Sequence, residues 1–214
     1  MKQFFTLDSP FMQTLTKIGQ VMILNLLWLV CCVPVVTAGA STAALYQMLF
    51  HIREDKDCGP KAFFRAFSQN FKKATLLWLI VLGSGNLVLL FRLASMSLQA
   101  GEAVRDLLFG AFAALVFVWA FGMQYVFPLT AYFENTVPMT LRNAYLTGMR
   151  KPLQSFFCCL VTLIPAIACV ANPDLFLHLL YVWLLIVPGA IAYWKSGKYL
   201  REFREMIDES EEKA

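Results

Sequence analysis

The most chemically informative side chains in this sequence are three neutral amides, Asn25, Asn86 and Gln124, which lie within long apolar segments. A polar group held in hydrocarbon is costly unless it finds a hydrogen-bond partner. We therefore expect these amides either to bond one another across neighbouring helices or to line a path for a polar solute. The same segments contain no Asp, Glu, Lys or Arg, so the sequence does not predict the ionisable relay that proton-coupled transporters use.

Motifs for catalysis are missing from the sequence. It contains no G-x-x-x-x-G-K phosphate-binding loop, no G-x-S-x-G nucleophile turn and no H-E-x-x-H metal pair. The 6 cysteines have neither the spacing of a metal site nor that of a disulfide framework. We therefore predict a protein that is not an enzyme, without catalytic, cofactor-binding or metal-binding residues.

The segments that hold the amides are predicted to be transmembrane helices. The chain is 59% hydrophobic and 15% charged, whereas soluble domains carry about 25% charged residues. Backbone groups in hydrocarbon must pair within their own segment, which favours helices. The predicted fold is an all-α polytopic helical membrane protein, a single integral membrane domain over residues 1–214. The predicted spans are residues 18–35, 37–52, 74–91, 107–130, 154–171 and 175–194.

The second of these spans decides between five and six transmembrane helices. Residues 18–52 would form a helix of about 52 Å, longer than a hydrocarbon core of about 30 Å. Pro34, followed by Thr37 and Gly39, predicts a break into a helical hairpin. The second arm, residues 37–52, covers only about 24 Å. Counting it gives six spans with both termini on one side, and omitting it gives five with the N-terminus on the other side.

The distribution of basic residues predicts the orientation. In the six-span arrangement 16 of the 18 Lys and Arg lie on one side of the membrane, and the other side keeps only Arg92 and Arg105. This bias marks the basic side, with the C-terminus, as cytoplasmic. The net charge of +4 is spread over the loops on that side, so a nucleic-acid partner is not predicted. We expect a multi-pass membrane protein, with the lipid bilayer as its first partner.

An internal sequence repeat favours the six-span arrangement and predicts two amphipathic helices. Residues 60–73 align with residues 138–151 at an offset of 78, with a proline at each start and a basic pair at each end. Both segments place apolar residues four apart on one helix face, which is typical of helices at a membrane surface. We predict a cytoplasmic interaction surface there. Its residues are Phe63, Phe67, Phe71, Lys72, Lys73, Arg150 and Lys151.

Two segments resemble the YesL family of bacterial membrane proteins, a family defined by a domain of unknown function. The segments are Asn25–Trp28 with Pro34–Tyr46 (NLLW and PVVTAGASTAALY) and Phe63–Lys73 (FFRAFSQNFKK). Genes of that family often lie near genes for carbohydrate ABC transporters and sugar utilisation. The resemblance therefore implies a bacterial inner membrane as the location and an accessory role in sugar uptake, without catalytic residues to carry over.

Two functions follow as hypotheses. The first is a non-enzymatic accessory or regulatory protein that docks on the permease or sensor subunits of a carbohydrate ABC transporter, through the two amphipathic helices. The second is a small solute transporter or channel in its own right, with Asn25, Asn86 and Gln124 along its path.

Overall fold

The protein is a bundle of α-helices without strands over the part of the chain that the structure, a computed structural model, describes: residues 10–97, 101–171, 174, 178 and 180–212. The helices are α1 (Pro10–Cys32), α2 (Ala38–Arg53), α3 (Pro60–Ser97), α4 (Glu102–Tyr132), α5 (Val137–Arg150), α6 (Pro152–Ala171) and α7 (Leu180–Glu212), with a 3₁₀ turn at Val35–Thr37. The all-helical prediction is confirmed for these residues.

The predicted break at Pro34 is confirmed. Helix α1 ends at Cys32, and the chain reverses through the 3₁₀ turn Val35–Thr37 before α2 begins at Ala38. The Thr37 hydroxyl donates to the Pro34 carbonyl at 2.8 Å. The two arms are joined because Trp28 Nε1 donates to Thr42 Oγ1 at 3.1 Å. The helical hairpin is therefore closed by side-chain hydrogen bonds at its corner and between its arms.

Small residues allow α2 to pack at the centre of the bundle. A Cβ added to Gly39 would lie 2.5 Å from the Cβ of Trp78 and 2.6 Å from the Ala74 carbonyl oxygen, both on α3. Ala40, Ala43 and Ala44 are completely buried. Small faces of this kind let helix backbones approach closely. The stripe of small residues that begins at Gly39 is thus an intramolecular contact.

Helix α3 differs from the prediction of a separate amphipathic helix at residues 60–73, because it runs without a break from Pro60 to Ser97. Its apolar sequence resumes directly after Lys73, and no proline or glycine interrupts the helix there. The second copy of the repeat, at residues 138–151, does form a separate helix, α5. Pro152 ends α5 because a proline disfavours helical geometry in the preceding residue, here Lys151.

Four helices of the described residues are long and apolar enough to cross a membrane: α1, α2 with its preceding turn, α3 and α4. The chain is therefore that of a membrane protein. The predicted span at 154–171 lies within α6. Of the predicted span at 175–194, residues 175–177 and 179 lie outside the described residues, and residues 180–194 belong to α7. The six-span count, the single domain and the orientation of the termini remain predictions.

Helix α7 continues well beyond its predicted span and enters the core. Tyr199 and Phe203 are completely buried. The Tyr199 ring lies 4.8 Å from Tyr125 of α4 and 6.0 Å from Tyr46 of α2, measured between ring centroids. The C-terminal half of α7 is therefore a structural element of the bundle rather than a solvated tail.

Candidate functional site

The three amides predicted to act together instead make separate contacts. Asn25 is the first of them. Its side chain is completely buried, and its Nδ2 donates to the carbonyls of Leu184 at 2.9 Å and Leu185 at 2.7 Å on α7. Its Oδ1 has no hydrogen-bond partner within the described residues. Gly189 makes room for this amide, because a Cβ there would lie 2.9 Å from the Asn25 Cβ. Asn25 thus fastens α1 to α7.

The other two amides bond elsewhere. Asn86 is exposed, and its Nδ2 donates to the Leu82 carbonyl of its own helix at 2.8 Å. Gln124 donates from Nε2 to the Ser155 carbonyl at 3.1 Å and accepts from the Tyr199 hydroxyl at 3.4 Å. The structure therefore brings none of the three predicted amides into contact with another.

The predicted interaction surface divides into buried and exposed parts. Phe63 is completely buried, Phe67 is half-buried and Phe71 is 36% exposed. Lys72 is exposed and Lys73 is half-buried. The basic pair that ends α5 contacts α7 instead. Arg150 forms an ion pair with Glu209, and Lys151 forms one with Glu205.

A buried carboxyl that the sequence interpretation missed lies beside these ion pairs. Glu202 is 1% exposed. Its Oε2 accepts from Gln154 Nε2 at 3.0 Å and from the Tyr125 hydroxyl at 3.4 Å. Its Oε1 has no hydrogen-bond partner within the described residues. Burial raises the pKa of this carboxyl to about 7, and the nearby Lys151 opposes that rise. Below a pH of about 7, Glu202 thus keeps a proton that an exposed glutamate would have lost.

One signal in the sequence points to this burial. The apolar positions Ala192, Tyr199 and Phe203 continue at helical spacing past Trp194, where the predicted span ended. Glu202 lies between two of them, on the same side of the helix as Tyr199. A sequence interpretation that follows this periodicity, instead of stopping at the first lysine, places Glu202 against the core.

Further polar contacts connect the end of α2 to α7. Arg53 of α2 donates from Nε to the Ser196 hydroxyl of α7 at 2.8 Å, and its guanidinium lies 4.2 Å from the centre of the Tyr193 ring. Arg204 of α7 forms an ion pair with Glu54 at 3.0 Å. These contacts join the end of α2, the end of α5 and the start of α6 to the C-terminal half of α7. We call this set of residues the polar layer: Arg53, Glu54, Arg150, Lys151, Gln154, Ser196, Glu202, Arg204, Glu205 and Glu209.

A cavity of about 660 Å³ opens beside the polar layer. Its walls are Gln47 of α2, Gln69, Asn70 and Lys73 of α3, and residues 130–136, where α4 ends and the chain turns toward α5. We call it the Lys73 cavity. Most of these side chains carry polar groups, and they include one cation, Lys73, and one anion, Glu134. This cavity is a candidate binding site that the motif search did not find, because its residues come from three distant parts of the sequence.

Helix α5 also presents an exposed face, opposite the side that packs on the bundle. Met139 is 52% exposed, Leu146 is 57% exposed and Met149 is 71% exposed, and Arg142 lies exposed among them. We call these four residues the α5 outer face. Large apolar side chains at helical spacing on an exposed helix are typical of a contact with lipid or with another protein.

Comparison with known proteins gives one match. A family described as a protein of unknown function, DUF624, matches residues 21–91. The matched range contains most of α1, all of α2 and most of α3, and it includes the residues Asn25–Trp28 and Pro34–Tyr46. No curated protein and no solved structure matches the chain. Over residues 21–91 the chain is thus similar to a family without an assigned function.

Proposed function

We propose that this protein is a non-enzymatic accessory or regulatory component of a bacterial inner membrane, which docks on the permease or sensor subunits of a carbohydrate ABC transporter. The α5 outer face is the observation that carries the docking part of the proposal. The carbohydrate part rests on the resemblance of Asn25–Trp28, Pro34–Tyr46 and Phe63–Lys73 to the YesL family.

The α5 outer face is suited to docking because the opposite side of the helix is held rigidly. Thr140, Ala144, Thr147 and Gly148 are buried on that inner side. A Cβ at Gly148 would lie 2.6 Å from the Phe121 carbonyl oxygen, so α5 lies in close contact with α4. A pre-formed helix loses little conformational entropy when it binds a partner. Its exposed apolar residues then contribute binding energy in proportion to the area they bury.

The placement of the amides favours this proposal over transport. A solute path through the bundle needs polar groups that face one another along its length. Asn25 bonds carbonyls of α7, Asn86 bonds its own helix, and Gln124 bonds the Ser155 carbonyl. The three side chains therefore make helix contacts that a structural role explains.

The experiment compares co-purification of native membrane complexes with two paired variants. The first variant replaces Leu146 and Met149 by alanine and so removes two large apolar side chains from the α5 outer face. The control replaces Leu89 and Leu90 of α3 by alanine; both are 57% exposed, and they lie within the long apolar part of α3. The protein is extracted in a mild detergent, and transporter subunits that elute with it are identified by mass spectrometry.

We expect the unmodified protein and the Leu89/Leu90 control to retain a permease, ATPase or sensor subunit, and the Leu146/Met149 variant to lose it. Failure to recover any such subunit with the unmodified protein would contradict the proposal. Equal loss from both variants would remove the α5 outer face from the interaction.

A further inference from the structure

The Lys73 cavity offers hydrogen-bonding groups that the protein itself leaves unused. Asn70 donates from Nδ2 to Gln47 Oε1 at 3.0 Å and to the Ala66 carbonyl at 3.0 Å. This leaves Asn70 Oδ1 as an acceptor and Gln47 Nε2 as a donor without partners among the described residues. The side chains of Gln69 and Asn135 also form no hydrogen bond within that part of the chain. The wall therefore presents both donors and acceptors.

Two opposite charges face the same cavity without pairing. Lys73 and Glu134 both line it, and they are close enough to interact electrostatically. No ion pair within 4.0 Å joins them, and neither has another ion-pair partner among the described residues. Three cations of the polar layer differ, because Arg150, Lys151 and Arg204 each pair with a carboxylate. Lys73 and Glu134 are thus separated charges on two walls of one cavity.

We propose that the Lys73 cavity binds a zwitterion. The anionic group of the ligand lies against Lys73, its ammonium group lies against Glu134, and the amides of Gln47, Asn70 and Asn135 bond the atoms between. Such a ligand neutralises both charges at once, whereas an ion of either sign leaves one of them unpaired. Charge-assisted hydrogen bonds of this kind are about twice as strong as neutral ones.

Two sources supply this chemistry at a membrane surface: a free amino acid and the headgroup of an ethanolamine phospholipid. Both carry an anionic group and an ammonium group a few bonds apart, and both are small enough for about 660 Å³. The cavity lies where α3 enters its predicted span, which is the depth of lipid headgroups. The proposal does not depend on docking through α5.

The test is calorimetric titration of the full-length protein in a non-ionic detergent. The probes are glutamine, N-acetylglutamine, which lacks the ammonium group, and glutaminamide, which lacks the carboxylate. Short-chain phosphatidylethanolamine and phosphatidylglycerol form the lipid arm. Lys73→Gln and Glu134→Gln remove one charge each from the cavity. Lys72→Gln and Glu102→Gln are matched controls, because both residues are exposed and neither lines the cavity.

We expect glutamine or phosphatidylethanolamine to bind, and the probes that lack one charge to bind more weakly by about tenfold to a hundredfold, the loss of one charge-assisted hydrogen bond. Lys73→Gln and Glu134→Gln should weaken binding of the zwitterion by the same factor. The controls Lys72→Gln and Glu102→Gln should leave its affinity unchanged. Binding of glutamine identifies a free solute as the source, and binding of phosphatidylethanolamine alone identifies the lipid. Absence of binding by both zwitterions, or equal binding of the singly charged probes, overturns the proposal. A loss in the controls as large as in the cavity variants overturns it too.

Discussion

Replacing Glu202 by glutamine should remove a large part of the pH dependence of folding stability. The carboxyl is 1% exposed, and burial raises its pKa from an ordinary value of 4.5 to about 7. The folded protein therefore holds a proton on Glu202 over a pH range in which the unfolded chain has released it. Stability contributed by this group is present below the unfolded pKa of 4.5 and is lost as the pH rises to about 7.

The size of the effect follows from the two pKa values. Each tenfold change in proton affinity corresponds to about 1.4 kcal/mol, so a rise from 4.5 to about 7 amounts to about 3 kcal/mol. Glutamine is uncharged at all these pH values and has nearly the shape of the protonated acid. Its amide accepts from Gln154 and Tyr125 as the acid does. We therefore expect E202Q to be more stable than the unmodified protein above neutral pH, by up to about 3 kcal/mol.

The assay is reversible unfolding in mixed micelles at pH values from about 5 to 8, the range over which a pKa near 7 acts. Glu205→Gln is the control on the same helix. The ion pair with Lys151 lowers the pKa of the Glu205 carboxyl, so Glu205 titrates below this range. The unmodified protein and the control should lose stability with rising pH, and E202Q should lose much less. If E202Q kept the full slope, or if the unmodified protein had none, the assignment of a buried proton to Glu202 would be wrong.

Two further predictions concern contacts between helices. Gly39→Ala should lower the free energy of unfolding by about 1–3 kcal/mol because its methyl group overlaps α3; Gly110→Ala, where nothing lies within 4 Å, should raise it by up to about 1 kcal/mol in the same denaturation assay, because alanine favours a helix more than glycine does. Asn25→Leu should cost about 1–2 kcal/mol, because two interhelical hydrogen bonds to α7 are lost; Asn86→Leu, whose bond stays within α3, should cost less than half as much. Equal effects within either pair would contradict the packing described.

The local sequence was sufficient to predict the helical hairpin. Pro34 is followed closely by Thr37 and Gly39, which also disfavour a helix, and the length of residues 18–52 exceeds a single span. The small residues after Gly39 likewise permit the close packing of α2 on α3 that the structure shows. Each of these inferences depends on neighbours in the chain, so one sequence contains the necessary information.

The polar layer and the Lys73 cavity could not be predicted in this way. Glu202 contacts Tyr125 and Gln154, and Lys73 and Glu134 line one cavity, only after distant helices have packed. The predicted span ended at residue 194, because Lys195 and the basic residues after it ended the apolar window. The burial of Glu202 depends on tertiary partners that share no sequence motif. The segment at residues 60–73 is helical as predicted, but its continuation into one helix as far as Ser97 depends on residues outside that segment.

Two helix pairs, the α1–α2 hairpin and the antiparallel pair of α3 and α4, are held at different levels along the bundle axis. The contact between Gly39 of α2 and Trp78 of α3 fixes this offset. Trp78 Nε1 donates to the Val35 carbonyl at 2.7 Å, so the corner of the α1–α2 hairpin is level with Trp78. From Trp78, α3 continues to Ser97, which is about 28 Å of helix and close to the thickness of a hydrocarbon core. The α1–α2 and α3–α4 hairpins are therefore staggered by nearly one membrane thickness. The exposed leucines of α3 beyond Trp78 lie past the Pro34 corner, so a single hydrocarbon core of about 30 Å cannot cover both them and the whole of the α1–α2 hairpin.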